Sequence, residues 1–468
     1  MMGGIIAKIG EIFSPFGCFF WYNLSESVGT QILPDHEEPA TMTNDNNEIG
    51  VEMFTRRTML KATLLAAGAV AVGCDGRKQG PKHHPGMTYR PLGKTGLEVS
   101  EIGFGAEWMV RHDQAECTAL ARRCEQYGIN IVDCWMGDPE VRDKLGNALA
   151  GHRDEWIIQG HVCSSWRDGK FEITRDVERC RAAFADLLKR LKTDYVDIGM
   201  IFLVDKVSEW EEIAHGPLMD YMRELKASGR IRHIGLSTHN PQVGIAAAKS
   251  GLVEMMLFCV NPAYDLLPPL EDHQNLFKDE TFDSPLGGIA PERAELYRLC
   301  AAKGVGITVM KAYAGGRLLD AARSPFKTAL TPVQCLHYAL TRPAVASVLV
   351  GYDTPEHVDA AARYEQSTPA ERDYATVLAQ APRHRFDGEC TYCDHCAPCS
   401  VGIPIGTVNK LYDLAVSQPT IPDSIREHYA SLKRHAGDCT SCGACERRCP
   451  FHVKVIERMR EAAQLFGQ

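Results

Sequence analysis

Nothing in this chain is made to grip a nucleic acid. Its formal charge is −9 at pH 7, and it carries no stripe of lysine and arginine. It also lacks the fingerprint of dinucleotide-binding open sheets, because Gly103-Phe104-Gly105 is followed by Trp108 where a third glycine would stand. The apolar run LLAAGAVAVGC, which follows a basic pair near the N-terminus, is too short to span a bilayer comfortably. These absences remove nucleic acid as a partner and leave the doubly wound open sheet as the weaker of two α/β alternatives. What remains is a globular composition, long enough at 468 residues for one large domain or two or three ordinary ones.

Cysteine is what the chain has in excess. Eight of its 18 cysteines fall into two tight runs, Cys390, Cys393, Cys396 and Cys399 in CTYCDHCAPC, then Cys439, Cys442, Cys445 and Cys449 in CTSCGACERRCP. In C-x2-C-x2-C, three sulfurs from one short loop can take three corners of a cubane while a fourth cysteine arrives from elsewhere. A zinc ribbon takes two C-x2-C pairs from separate knuckles, which leaves the third cysteine of each run unused. The second run, C-x2-C-x2-C-x3-C-P, resembles a bacterial ferredoxin motif. The first departs from it in an x2 final gap and in Ser400, where the motif has proline, although Ile403-Pro404 follows. The reading is two [4Fe-4S] clusters, with zinc or disulfides as the alternative. The resemblance implies crossed ligation, with Cys390, Cys393, Cys396 and Cys449 on one cluster and Cys439, Cys442, Cys445 and Cys399 on the other. The remaining cysteines, among them Cys18, Cys117, Cys134, Cys163, Cys180 and Cys259, lack a framework spacing and read mostly as small buried hydrophobes.

Thr55-Arg56-Arg57-Thr58-Met59-Leu60-Lys61 and the short apolar run behind it resemble a twin-arginine export signal. That route moves folded proteins, which suits clusters inserted before export. Ala71-Val72-Gly73-Cys74 resembles a lipoprotein cleavage box, and lipidation at Cys74 would tether the mature protein to a membrane. The expected location is therefore periplasmic, or anchored at the cell surface. Residues 1–52 fit neither fold nor signal and read as a disordered extension, with Met42 or Met53 as alternative starts. Signal and linker occupy residues 53–87.

From residue 88 two kinds of segment alternate. Short β-rich stretches (EIGFG, NIVD, WIIQGH, YVDIGMIF, RHIGLST, MMLFCVN, VGITVMK, ASVLVG) are separated by stretches of helical periodicity. Eight of each predict a parallel sheet closed into a (β/α)8 TIM barrel over residues 88–365. Gly128, Gly229, Gly251 and Gly304 serve as helix stops. An insertion at residues 265–290 follows strand six on the face where barrels do chemistry, and reads as a lid or a passive loop. Residues 366–468 form a helical, ferredoxin-like cysteine domain.

The C-terminal strand ends present Asp133, His161, Phe202, Ser237, Thr238, His239, Asn261, Lys311 and Gly351. With MTYRPLGKTGLEVSEIGFG, LLKRLKTDYVDIGMI, IGLSTHN and VMKAYAGGRL, the barrel region resembles the aldo-keto reductases, and the whole chain the branch with a C-terminal ferredoxin-type domain. The resemblance implies an Asp, a Tyr general acid, a Lys that lowers the tyrosine pKa and a His that orients the carbonyl. Asp133 matches the first. The tyrosine position falls at Asp138, the lysine strand ends in Gly160-His161, and the histidine strand ends in Ile201-Phe202. Without phenol and lysine the family's proton donor is missing, and His161, oriented by Asp133, is the candidate replacement. The resemblance also implies NADP or NAD held through Ser237, the stretch Lys311 to Arg317 with Gly316, and Gly351; Asp353 would repel a 2′-phosphate. The function expected is an exported iron–sulfur oxidoreductase passing electrons between its clusters and a small-molecule substrate or nicotinamide, with a protein redox partner. The alternative is a non-catalytic barrel that binds a ligand or partner.

Overall fold

A computed structural model describes residues 83–468 apart from 285, 385 and 419. The twin-arginine stretch, Cys74 and the N-terminal extension lie outside the described residues. Eight strands, β3 (Ile102–Gly105), β4 (Ile131–Cys134), β5 (Ile157–His161), β8 (Val196–Ile201), β9 (Ile231–Thr238), β10 (Met255–Cys259), β11 (Gly306–Met310) and β12 (Val345–Gly351), close into a barrel. All of its pairings are parallel, and β12 meets β3 in the register Val348↔Ile102 to Gly351↔Gly105. These strands are buried on both faces, which is why they read as apolar runs rather than as alternation.

Helices α1 (Gln114–Tyr127), α2 (Pro139–Ala148), α3 (Val177–Arg190), α5 (Pro217–Ala227), α6 (Pro241–Ser250), α7 (Pro291–Lys303), α8 (Pro332–Thr341) and α9 (Pro355–Ala362) alternate with the strands. An additional helix, α4 (Val207–His215), precedes α5. Local chemistry starts these helices: Asp113 and Thr331 close capping boxes, and Asp176 and Asn240 accept from first-turn amides. Gly128, Gly251 and Gly304 stop three of them at φ of 78°, 72° and 70°.

A hairpin of β1 (Tyr89–Pro91) and β2 (Glu98–Ser100) precedes the barrel. Its Leu92 and Val99 join Ile131, Ile157, Ile198, Met200, Met255 and Leu257 in one apolar cluster. Gly235 is required there, because a Cβ would lie 2.4 Å from Met200 Sδ and 2.6 Å from Met255 Sδ. At the opposite end a second hairpin, β6 (Ser164–Arg167) and β7 (Lys170–Ile173), follows β5.

The insertion after β10 is a loop with short 3-10 turns at Tyr264–Leu266, His273–Phe277 and Glu280–Phe282. Its base is drawn together where Ala290 N–H donates to Asp265 O at 2.7 Å. Asp265 itself is buried, accepting from Tyr297 OH on α7 at 2.5 Å and Tyr338 OH on α8 at 2.8 Å.

Beyond α9 the described residues carry helices and no strand: α10 (Tyr374–Ala379), α11 (Ile405–Val416), α12 (Asp423–Ala430), α13 (Ala444–Arg448) and α14 (Val455–Phe466). This segment joins the barrel at α7 and α8. Arg342, fully buried just past α8, donates to Thr391 O and to Tyr374 OH, and Gln334 donates to Asp373 O at 2.8 Å.

Candidate functional site

At the C-terminal strand ends, Asp133 and His161 come together as the sequence suggested. Asp133 Oδ1 lies 2.9 Å from His161 Nε2 and accepts from Gln159 Nε2 at 2.9 Å. His161 is fully buried, and its Nδ1 has no hydrogen-bond partner among the described residues. The ring stands edge-on to Phe202 at 4.7 Å, and Phe202 stacks on Trp135 at 5.7 Å with Phe171 of the β6–β7 hairpin closing the cluster at 6.0 Å. Asp138 takes a different job: its Oδ1 caps α2 by accepting from Glu140 N–H at 2.7 Å.

Two residues that sequence reasoning passed over belong to this mouth. Glu107 accepts from Trp135 Nε1 at 3.3 Å; burial raises its pKa, against the downward pull of Lys311. Trp108 packs against Gly351, where a Cβ would lie 2.4 Å from its Nε1. The motif EIGFGAEW shows a strand and its glycines at once, and the acid and indole directly after that strand, Glu107 and Trp108, are the signal that points to the mouth.

The other nominated residues are placed as follows. Ser237 is buried in β9, in register with Leu257 of β10. Lys311 adopts a left-handed φ of 59° and points its Nζ at the Phe277 ring of the insertion, 5.6 Å away. Gly316 has φ 81° and starts the short turn that carries Arg317. Arg317 is engaged by the insertion, donating to Phe277 O at 2.7 Å and pairing with Asp279 at 2.8 Å. Asp353 pairs with His112 at 3.0 Å. Tyr313, just past Lys311, has its pKa driven far up by burial, which unsuits it as a proton donor.

Across the mouth, Asp205 Oδ2 lies 3.0 Å from His239 Nδ1 and 3.4 Å from His273 Nδ1. Burial pushes the His239 imidazole down to about 4, Asp205 pulling it back up and the Lys311 charge adding to the fall.

The eight clustered cysteines line two cavities. Cys390, Cys393, Cys396 and Cys449 line the first; Cys399, Cys439, Cys442 and Cys445 line the second. Each cavity thus takes three cysteines from one run and one from the other, an exchange that Arg448 ties together by donating to Cys396 O and Pro398 O. None of the described cysteines forms a disulfide. N–H groups point at the sulfurs: Asn409 Nδ2 at Cys390 Sγ (3.4 Å), Ser441 N at Cys439 Sγ (3.4 Å) and Val453 N at Cys449 Sγ (3.5 Å). Arg342, beside the first cavity through Thr391, has Nε and Nη1 buried without a partner. The donor set therefore suits an anionic sulfur-ligated group, whose potential such hydrogen bonds tune. A single tetrahedral zinc needs sulfurs about 3.8 Å apart, from Zn–S of about 2.3 Å. Among the described residues no three of these sulfurs lie within 4.8 Å of one another.

Residues 101–332 match the family described as Aldo/keto reductase family. The chain is 28% identical over 213 residues to aldo-keto reductase YhdN of Bacillus subtilis, covering 43% of this chain and 57% of YhdN. It is 31% identical over 159 residues to L-galactose dehydrogenase of Arabidopsis thaliana, covering 32% and 47%. Among solved structures, the holo form of aldo-keto reductase AKR11C1 from Bacillus halodurans aligns with a TM-score of 0.48 at 23% identity, over 61% of this chain and 94% of that one. The chain spans less than two thirds of the length of the curated relatives it matches. From residue 101 to residue 332, this chain carries an aldo/keto reductase family domain.

Proposed function

We propose that this protein is an exported iron–sulfur oxidoreductase in which two [4Fe-4S] clusters exchange electrons with a small-molecule substrate at the mouth of an aldo-keto reductase barrel. The observation that carries the reading is the sorting of eight cysteines into two cavities of four, each drawing its fourth sulfur from the opposite run. Cys390, Cys393, Cys396 and Cys449 would hold one cluster and Cys439, Cys442, Cys445 and Cys399 the other; when bound, such groups supply single electrons. The exposed Cys442 puts the second set within reach of a protein redox partner. The twin-arginine-like stretch supports export of the folded protein, and Cys74 is the position at which a lipid would anchor it.

The barrel's own residues supply the proton chemistry. Of the family's four catalytic positions only Asp133 is kept. With Nε2 directed at Asp133, the His161 ring keeps Nδ1 free of protein partners, the atom through which it would hydrogen-bond and protonate a substrate oxygen admitted at the mouth. Phe202, Trp135 and Phe171 pack around that ring and exclude water from it. Hydride from a bound nicotinamide is the less favoured source of electrons. Trp108 fills the space over Gly351, His112 engages Asp353, and Arg317 is held by the insertion.

The test is spectroscopic. Protein purified without oxygen should contain iron and acid-labile sulfide and give the electron paramagnetic resonance of reduced cubanes. Reduced protein should then be reoxidised by a carbonyl or quinone faster than by buffer, and NADPH fluorescence should not change on mixing. Zinc in place of iron ends the proposal.

A further inference from the structure

Asp205, His239 and His273 come from three separate segments: the turn after β8, the end of β9 and the insertion. The two oxygens of Asp205 divide their work. Oδ1 is taken by local donors, His239 N–H at 2.6 Å and Thr238 Oγ1–H at 3.2 Å, which fix the carboxylate's direction. Oδ2 is left to the two Nδ1 atoms, and the imidazole rings lie nearly parallel, 5.0 Å apart and 20° from coplanar. Asp205 and His239 are both buried, and among the described residues the ion pairs of Asp205 are with these two imidazoles, not with lysine or arginine. A buried carboxylate needs a cation or a metal to offset its charge.

The spacing decides what kind. Legs of about 2.0–2.1 Å to nitrogen and oxygen give a tetrahedral ion edges of about 3.3 Å. The two measured edges, 3.0 and 3.4 Å, bracket that value. Two imidazoles and a carboxylate are also the donor set that borderline divalent metals prefer, with a fourth position left for water or a substrate oxygen. The outer atoms fit as well. Thr238 and the His239 amide orient the carboxylate, and Gln274 lies 3.0 Å from His273 Nε2, where its side-chain oxygen can accept Nε2–H once Nδ1 is on the metal. Turning that amide moves no heavy-atom position.

We propose that Asp205, His239 and His273 bind one divalent transition-metal ion of the zinc type, which fastens the insertion to the barrel mouth. The site is separate from the cysteine cavities and stands whether or not these hold iron. With the metal in place the insertion is clamped at His273; without it, the same distances serve two N–H donors on one carboxylate oxygen.

Equilibrium dialysis of the full-length, cluster-loaded protein against zinc distinguishes the two states. His273→Ala and His239→Ala leave every cysteine in place, so zinc held by thiols cancels between variant and wild type. Each variant is expected to bind this zinc at least tenfold more weakly. In parallel, zinc should slow tryptic cleavage after the exposed Lys278 severalfold in wild type and not in His273→Ala, whose change lies in a surface loop outside the barrel. Equal zinc retention by wild type and His273→Ala, or equal protection of Lys278 in both, overturns the proposal.

Discussion

The exchange of cysteines between cavities can be tested by pairing mutations. A fully loaded chain holds about eight irons, four per cavity, if both cavities carry cubanes. Cys393 and Cys449 belong to different runs but line the same cavity, whereas Cys393 and Cys399 share a run and line different cavities. Losing one of four thiolates disables a cavity, and losing a second from the same cavity has little left to remove. The double variant Cys393→Ser/Cys449→Ser should therefore retain about four irons, close to either single variant, while Cys393→Ser/Cys399→Ser should fall toward none. The assay is iron and sulfide per chain after anaerobic reconstitution, with circular dichroism to confirm that each variant is folded. If ligation followed the runs, the two double variants would swap values. That swap, or equal iron in both, would refute the assignment of sulfurs to cavities.

Replacing His161 with alanine should lower turnover of a reducible substrate about 100- to 10,000-fold, the usual worth of a general acid, without changing iron content; unchanged turnover removes His161 from that role. Arg342→Gln deletes charge-assisted hydrogen bonds to Thr391 O and Tyr374 OH, at about 1.5 kcal/mol each, so a loss near 3 kcal/mol is expected in urea denaturation. A loss under about 0.5 kcal/mol would show that this arginine does not fasten the cysteine domain. Burial, with Arg372, Arg90 and Arg342 nearby, pushes His337 down to about 4. The unfolded chain therefore takes up a proton at this position between pH 6.5 and 4 that the folded chain refuses. Its contribution is nil above pH 6.5 and becomes a destabilisation of up to about 3 kcal/mol as pH falls to 4. His337→Gln should flatten the wild-type stability profile in that window, and an unchanged slope would count against the burial argument.

The barrel strands were legible because they are buried on both faces and follow helices that stop at glycines in the left-handed region, as at Gly128 and Gly304. The β6–β7 hairpin was missed although Asp168-Gly169 sits between Trp166 and Phe171, a two-residue turn between aromatics. Helix α4 was missed because its apolar positions, Trp210, Ile213 and Ala214, are too few to set a period. The Asp133–His161 pair was legible since β4 and β5 are neighbours in any such barrel, placing Cys134 opposite Gly160. The meeting of Asp205 with His273 was not, because it depends on where a long irregular loop comes to rest. The occupation of Gly351 by Trp108 likewise arises from closure of β12 onto β3, which no local pattern encodes.

The bond between Ala290 and Asp265 has one further implication. Since the two feet of the excursion are already joined, the residues between them can swing, lengthen or be exchanged while the frame beneath stays put. Entry to the barrel mouth then becomes a property of about two dozen residues tuned apart from the scaffold, held against it by Arg317, by His273 and by Arg383, which donates to Asp283 O at 2.8 Å.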